Sequence, residues 1–144
     1  MMKLISKFAL PIVITGILIL LLSGNLLSTS PFIIVGQLFA IAINIWARRS
    51  FQAGQFNIHM DPREGQLLLS GPYRYVRHPM YAAALLFVWS SILGHLHPLS
   101  LVIGLIVTIV IAVRIINEDM VLRDHFTNYA EYARSTKRII PFLI

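Results

Sequence analysis

The 144-residue sequence contains no cysteine, which excludes disulfide stapling, thiolate catalysis and thiolate metal sites while leaving the redox compartment open. It is also poor in charge. Lys, Arg, Asp and Glu make up 12% of it, against about 25% in an ordinary soluble domain. Too few polar side chains remain to cover a water-facing sphere, so a cytosolic globule and a disordered chain are both excluded. There is no phosphate-cradling Walker sequence, no GxGxxG, no supported Ser/His/Asp arrangement and no internal repeat. What fills the chain is apolar, 57% hydrophobic with a mean hydropathy of +0.76. Length allows one domain, 1–144, and hydropathy places it in lipid.

Apolar runs occupy 8–27, 31–47, 81–96 and 99–116; none holds an acidic residue, and Arg114 is their only base. A hydrocarbon core of about 30 Å takes about 20 helical residues to cross. The first and last runs fit well and the middle two are slightly short. Each is apolar all round rather than striped, and none alternates with period two, which favours helical spans over strands. The fold class expected is therefore all-α, an integral membrane bundle of four helices. Lys3 and Lys7 would suit a signal peptide, but the first run is long and no A-x-A site follows, so it is read as a retained span.

The bases explain the net charge of +6 by where they fall. Lys3 and Lys7 precede the first run; Arg48, Arg49, Arg63, Arg74 and Arg77 lie between the second and third; the rest lie from Arg114 onward. The connections 28–30 and 97–98 hold no Lys, Arg, Asp or Glu. All bases thus fall on one side of a four-span bundle, the cytoplasmic side by the positive-inside rule, with both termini there. Juxtamembrane bases favour anionic headgroups, which accounts for the basic balance without nucleic acid. The bilayer is the expected partner; oligomeric state is open.

Polar material is concentrated in a loop, 48–78, and a tail, 117–144, and chemistry belongs there. The tail reads as helix from about Glu118, with Leu122, Phe126, Tyr129 and Ala133 on one face. The loop closes with Ser70-Gly71-Pro72-Tyr73-Arg74-Tyr75-Val76-Arg77-His78-Pro79-Met80-Tyr81. Pro79 suits the first turn of a helix and leaves donors there for a carboxylate or phosphate. An interfacial belt of Tyr and Arg is the bland alternative. The second constellation is Arg114 with Glu118, four apart on one helix face at membrane depth, where function is the default and a plain ion pair the alternative. His95 and His97 are thin support for a metal and better suited to capping a turn. Gly36, Ala40 and Asn44 look like close helix packing with one polar contact.

Four words stand in order: Gly71-Pro72-Tyr73-x-x-Val76-Arg77-His78-Pro79-x-Tyr81, Glu118-Asp119-x-x-Leu122, Phe126-x-x-Tyr129-x-x-Tyr132 and Arg138-Ile139-Ile140-Pro141-Phe142. Together they resemble the isoprenylcysteine carboxyl methyltransferase and phospholipid methyltransferase superfamily of membrane enzymes. The resemblance implies S-adenosylmethionine as cofactor (S-adenosylhomocysteine as product), in a cytoplasm-facing pocket roofed by loop 58–81 and the tail. A lipophilic methyl acceptor would enter from the lipid side. It implies that Gly65, Gln66, Leu67 and Leu68 line the adenosine through their backbone. Tyr73, His78, Pro79, Met80 and Tyr81 would contact the cofactor, Glu118 would hold its ammonium group, and Arg114 would face the acceptor. Those two, Arg114 and Glu118, are the implied catalytic pair, with no metal. Where paired glutamates are usual the chain has Glu118-Asp119, and Thr127 replaces the glycine often found after the tail phenylalanine.

The acceptor implied is the carboxylate of a prenylcysteine-like substrate or a lipid amine. One rival is a membrane NADPH-dependent reductase of the sterol-reductase type, though such enzymes are much longer. Another is a non-catalytic four-span protein, a transporter subunit or a scaffold. A transporter would want an ionisable residue deep in a span, and the first three runs have none.

Overall fold

The computed structural model describes residues 2–51 and 67–140, which form five α-helices, one 3-10 turn and no strand. The helices are α1 (Met2–Leu22), α2 (Pro31–Arg49), α3 (Pro79–Gly94), α4 (Pro98–His125) and α5 (Tyr129–Ser135), with the 3-10 turn at Gly71–Arg74. Three of them begin with proline, at Pro31, Pro79 and Pro98, where the missing N–H would be unpaired anyway. The N-cap of α4 is His97, whose Nδ1 accepts from the Leu99 N–H at 3.3 Å, the capping role expected of that pair.

Two boundaries differ from the sequence expectation. The first apolar run reaches 27, but α1 stops at Leu22 because Gly24 adopts φ +72°. The Asn25 N–H then returns to the Leu20 carbonyl at 2.8 Å and the Gly24 N–H to Leu21 at 3.1 Å, a Schellman closure. The last helix was expected to end at 116 and a tail helix to begin near Glu118. Instead α4 continues through His125, since no Gly or Pro interrupts 105–125, and the break falls at Phe126–Asn128. At about 1.5 Å per residue α4 is about 42 Å long, more than a hydrocarbon core of about 30 Å requires. Its last turns therefore project beyond the apolar stretch, and they carry Glu118 and Asp119.

Helix α1 packs on α4, α2 on α3, and α3 on α4. The core joins Leu20 and Leu26 to Val88 and Ile92 of α3 and to Ile103, Val107, Ile111 and Ile115 of α4. Those four α4 residues recur every fourth position, a single row facing inward. Gly36 and Ala40 do mediate close packing of α2: a Cβ on Gly36 would lie 2.8 Å from Ser90 Oγ, and Ala40 is 1% exposed. The polar contact expected from Asn44 comes from a neighbour. Asn44 Oδ1 accepts from Arg48 on its own helix at 3.0 Å, whereas buried Gln37 donates to the Leu26 carbonyl at 2.7 Å and Ser91 Oγ at 2.9 Å.

The outer faces are apolar, with Phe32, Phe39, Leu105 and Ile109 each more than half exposed. Contiguous apolar surface of that kind marks an interaction or membrane face. Helices α2 and α4 are long and apolar enough to cross a membrane, and Phe8–Leu22 and Pro79–Gly94 are shorter apolar helices.

Candidate functional site

Arg114 and Glu118 are one turn apart on α4, so both side chains meet the first turn of α3. There Tyr81 stands between them. Its hydroxyl donates to Glu118 Oε2 at 2.6 Å and accepts from Arg114 Nε at 2.5 Å. The tyrosine hydroxyl thus bridges the two side chains that the sequence spaces one turn apart. Tyr73 is buried in the 3-10 turn that precedes α3. Its ring meets Phe51 edge-on at 5.6 Å, and burial first, then the charge of Glu118, push its hydroxyl well above the ordinary tyrosine range.

Asp119 is rotated about 100° round the helix from Glu118 and meets other neighbours. Its Oδ1 accepts from His78 Nε2–H at 2.8 Å and from the Tyr129 hydroxyl at 2.5 Å, while Oδ2 accepts from Arg138 Nε at 2.9 Å. Arg77 Nε lies 3.7 Å away as an ion pair. Asp119 stands past the apolar stretch of α4 and is 7% exposed. Burial alone would raise its carboxyl, but the hydrogen bonds from His78, Tyr129 and Arg138 outweigh it and hold the group below the usual carboxylate range.

These contacts fasten the tail to the loop. The Arg77 and His78 N–H groups donate to the Lys137 and Arg138 carbonyls at 2.7 and 3.0 Å, and the Lys137 N–H returns to Tyr75 at 3.2 Å, forming a parallel bridge at Val76 and Lys137. Arg77 Nη1 donates to the carbonyls of Ala133 at 2.7 Å and Thr136 at 2.6 Å, neutralising the C-terminal end of α5. The Tyr132 hydroxyl donates to the Tyr73 carbonyl at 2.7 Å.

The residues singled out from sequence are thus brought together in part. Tyr81, Arg114 and Glu118 form one group, and the His78 ring stacks on Tyr81 at 5.6 Å and 28°. His78 Nε2 is committed to Asp119, so its nearest chemistry is the tail clasp. The donors at the start of α3 are also largely used, because the N–H groups of Tyr81 and Ala82 both close on the His78 carbonyl. Pro79 is buried as the first residue of α3, Met80 is half-buried beside it, and Leu67 and Leu68 are half-buried before the 3-10 turn. Gly65 and Gln66 lie outside the described residues.

Sequence reasoning gave Arg77, Asp119, Tyr129, Tyr132 and Arg138 no role in a site, although each stands in one of the four words. The available signal was chemical: Asp119 is a lone acid beside Glu118, and its bases, Arg77 and Arg138, lie 42 and 19 residues away in sequence (119 − 77 and 138 − 119).

A family model described as phospholipid methyltransferase matches residues 13–129, from α1 to the first residue of α5. No curated protein and no solved structure matches the chain.

Proposed function

The chain belongs to the phospholipid methyltransferase family, and from that premise we propose that it transfers a methyl group from S-adenosylmethionine to a lipophilic, membrane-borne acceptor. The observation that carries the reading is the Arg114–Tyr81–Glu118 group, set where α4 leaves its apolar stretch. In this reading α1 to α4 are four spans, both termini and the site are cytoplasmic, and the loop and tail roof the pocket. The positions of the bases support that orientation.

The residues present fit the cofactor. Glu118 is half-buried, and a carboxylate with one oxygen on the Tyr81 hydroxyl retains capacity for an ammonium. The Tyr73 and Tyr81 rings beside it suit a sulfonium or a purine. Leu67, Leu68, Tyr73, His78, Pro79, Met80 and Tyr81, with Gly65 and Gln66, are proposed as the lining of that pocket. When bound, S-adenosylmethionine supplies an electrophilic methyl on a sulfonium that leaves as a neutral thioether. The protein's own share is alignment. Glu118 anchors one end of the cofactor, Arg114 orients an anionic group of the acceptor, and the clasp keeps the roof in place. Such orientation lowers barriers by up to about 7–11 kcal/mol. A carboxylate acceptor needs no base, whereas a lipid amine must first lose a proton. Arg114 suits either the carboxylate itself or the phosphate of a lipid headgroup.

Calorimetric titration of the detergent-purified protein with S-adenosylhomocysteine tests this. The wild type should bind in the micromolar range, and Glu118→Ala and His78→Ala should lose binding. Arg114→Ala should retain binding yet fail to move labelled methyl into a lipid extract. A folded wild type that binds nothing overturns the reading. Loss of cofactor affinity in Arg114→Ala overturns the role given to that residue.

A further inference from the structure

Tyr81 has one hydroxyl and two partners for it, one donor and one acceptor. As acceptor it takes the Arg114 Nε–H at 2.5 Å, and as donor it gives its proton to Glu118 Oε2 at 2.6 Å. Hydrogen bonds in series polarise one another: a cation on the oxygen sharpens the O–H as a donor, and strong donation in turn saturates part of the carboxylate. The hydroxyl is not free to swing away. Its ring is fixed by the stacked His78, which is itself held by buried Asp119, and it sits in the first turn of α3.

We infer that Tyr81 is a positioning residue that couples the acceptor and cofactor subsites through its hydroxyl, so that each ligand strengthens binding of the other. The inference rests on the reading in which Glu118 takes the cofactor ammonium and Arg114 the acceptor. An anionic group that engages Arg114 draws its N–H from the Tyr81 oxygen. The Tyr81 proton then binds Glu118 less tightly, and the carboxylate meets the ammonium with more of its charge. By linkage the effect is reciprocal: an ammonium on Glu118 loosens Tyr81 from Glu118, weakens its hold on Arg114 and readies Arg114 for the acceptor. The cofactor and the acceptor are thereby favoured together over either alone, without any movement of the backbone.

A double-mutant cycle read on S-adenosylhomocysteine affinity tests the coupling with no acceptor needed, because Arg114 can be removed by mutation. Four proteins are titrated calorimetrically: wild type, Arg114→Ala, Tyr81→Phe and the double variant, each checked for helix content by circular dichroism. Tyr81→Phe keeps the ring on His78 and deletes only the hydroxyl. Arg114→Ala should tighten binding about three- to tenfold in the presence of Tyr81 and less than about twofold in the Tyr81→Phe background. Equal tightening in both backgrounds means Arg114 acts on the ligand through space and overturns the coupling. Loss of all binding in Tyr81→Phe also overturns it, by making the Tyr81 hydroxyl itself, rather than the ring, the group that holds the cofactor. Should Arg114→Ala fail to fold, Arg114→Lys replaces it; the charge is kept and the Nε donor removed, and the same non-additivity is expected. A wild type that binds no S-adenosylhomocysteine overturns the functional reading itself, an outcome distinct from an additive cycle.

Discussion

Replacing Asp119 by alanine should release the tail from the loop while leaving the helix bundle in place. The carboxylate is the shared acceptor for His78, Tyr129 and Arg138 and the counter-charge for Arg77, whose side chain is 9% exposed. Arg138 is half exposed, so its pair contributes at most about 1 kcal/mol. The buried part is larger. Hydrogen bonds to a charged group are worth about 1.5–3 kcal/mol each, and stranding one member of a buried ion pair costs about 3–5 kcal/mol. These contributions overlap, because the same carboxylate serves them all, so the net loss is taken as about 3–5 kcal/mol. Hydrogen exchange of the Arg77, His78 and Lys137 amides reads it directly, since all three are bonded across the loop–tail bridge. At about 1.4 kcal/mol per tenfold, their exchange in Asp119→Ala should quicken about a hundred- to several-thousand-fold. Amides around Val88 and Ile92, in the interior of α3, should not change and serve as the control. Clasp amides within about threefold of wild type would refute the reasoning and show that backbone bonds and apolar packing hold the tail without the carboxylate.

The same carboxylate sets the pH response of the clasp: its folded value lies below that of an unfolded aspartate, so its contribution is complete above about pH 3.9 and is lost as pH falls from there. Exchange of the clasp amides, corrected for intrinsic rates, should be flat from neutral pH to about 5 and rise only in more acidic solution. Gly71→Ala should weaken S-adenosylhomocysteine binding about tenfold or more by calorimetry, because φ +59° penalises any L side chain by about 1–2 kcal/mol and the new Cβ would collide with Ser50 Oγ, displacing the turn that carries Tyr73.

The helices were legible because the features that define them are local. Long apolar runs, Pro79 at a helix start and short connections without Lys, Arg, Asp or Glu read directly as the four apolar helices, and Arg114 with Glu118 is a spacing along one helix. Ends were less legible. The stop at Leu22 depends on a left-handed Gly24, and the continuation of α4 past 116 depends on nothing interrupting it, whereas the charge pattern there suggested a new element.

The family, too, was written in the order of its four words. What only the tertiary structure decided is which groups meet. Asp119 is adjacent to Glu118 in sequence, yet about 100° of helix rotation sends one to the tail and the other to Tyr81. His78 reads as a free donor beside a helix start and is instead buried on Asp119. Tyr81 reads only as a cofactor contact, and the fold also makes it the link between Arg114 and Glu118. The pairings of Tyr81 with Arg114 and Glu118 and of His78 with Asp119 span 33 to 41 residues of chain, a separation that no periodicity records and that packing of α3 on α4 closes.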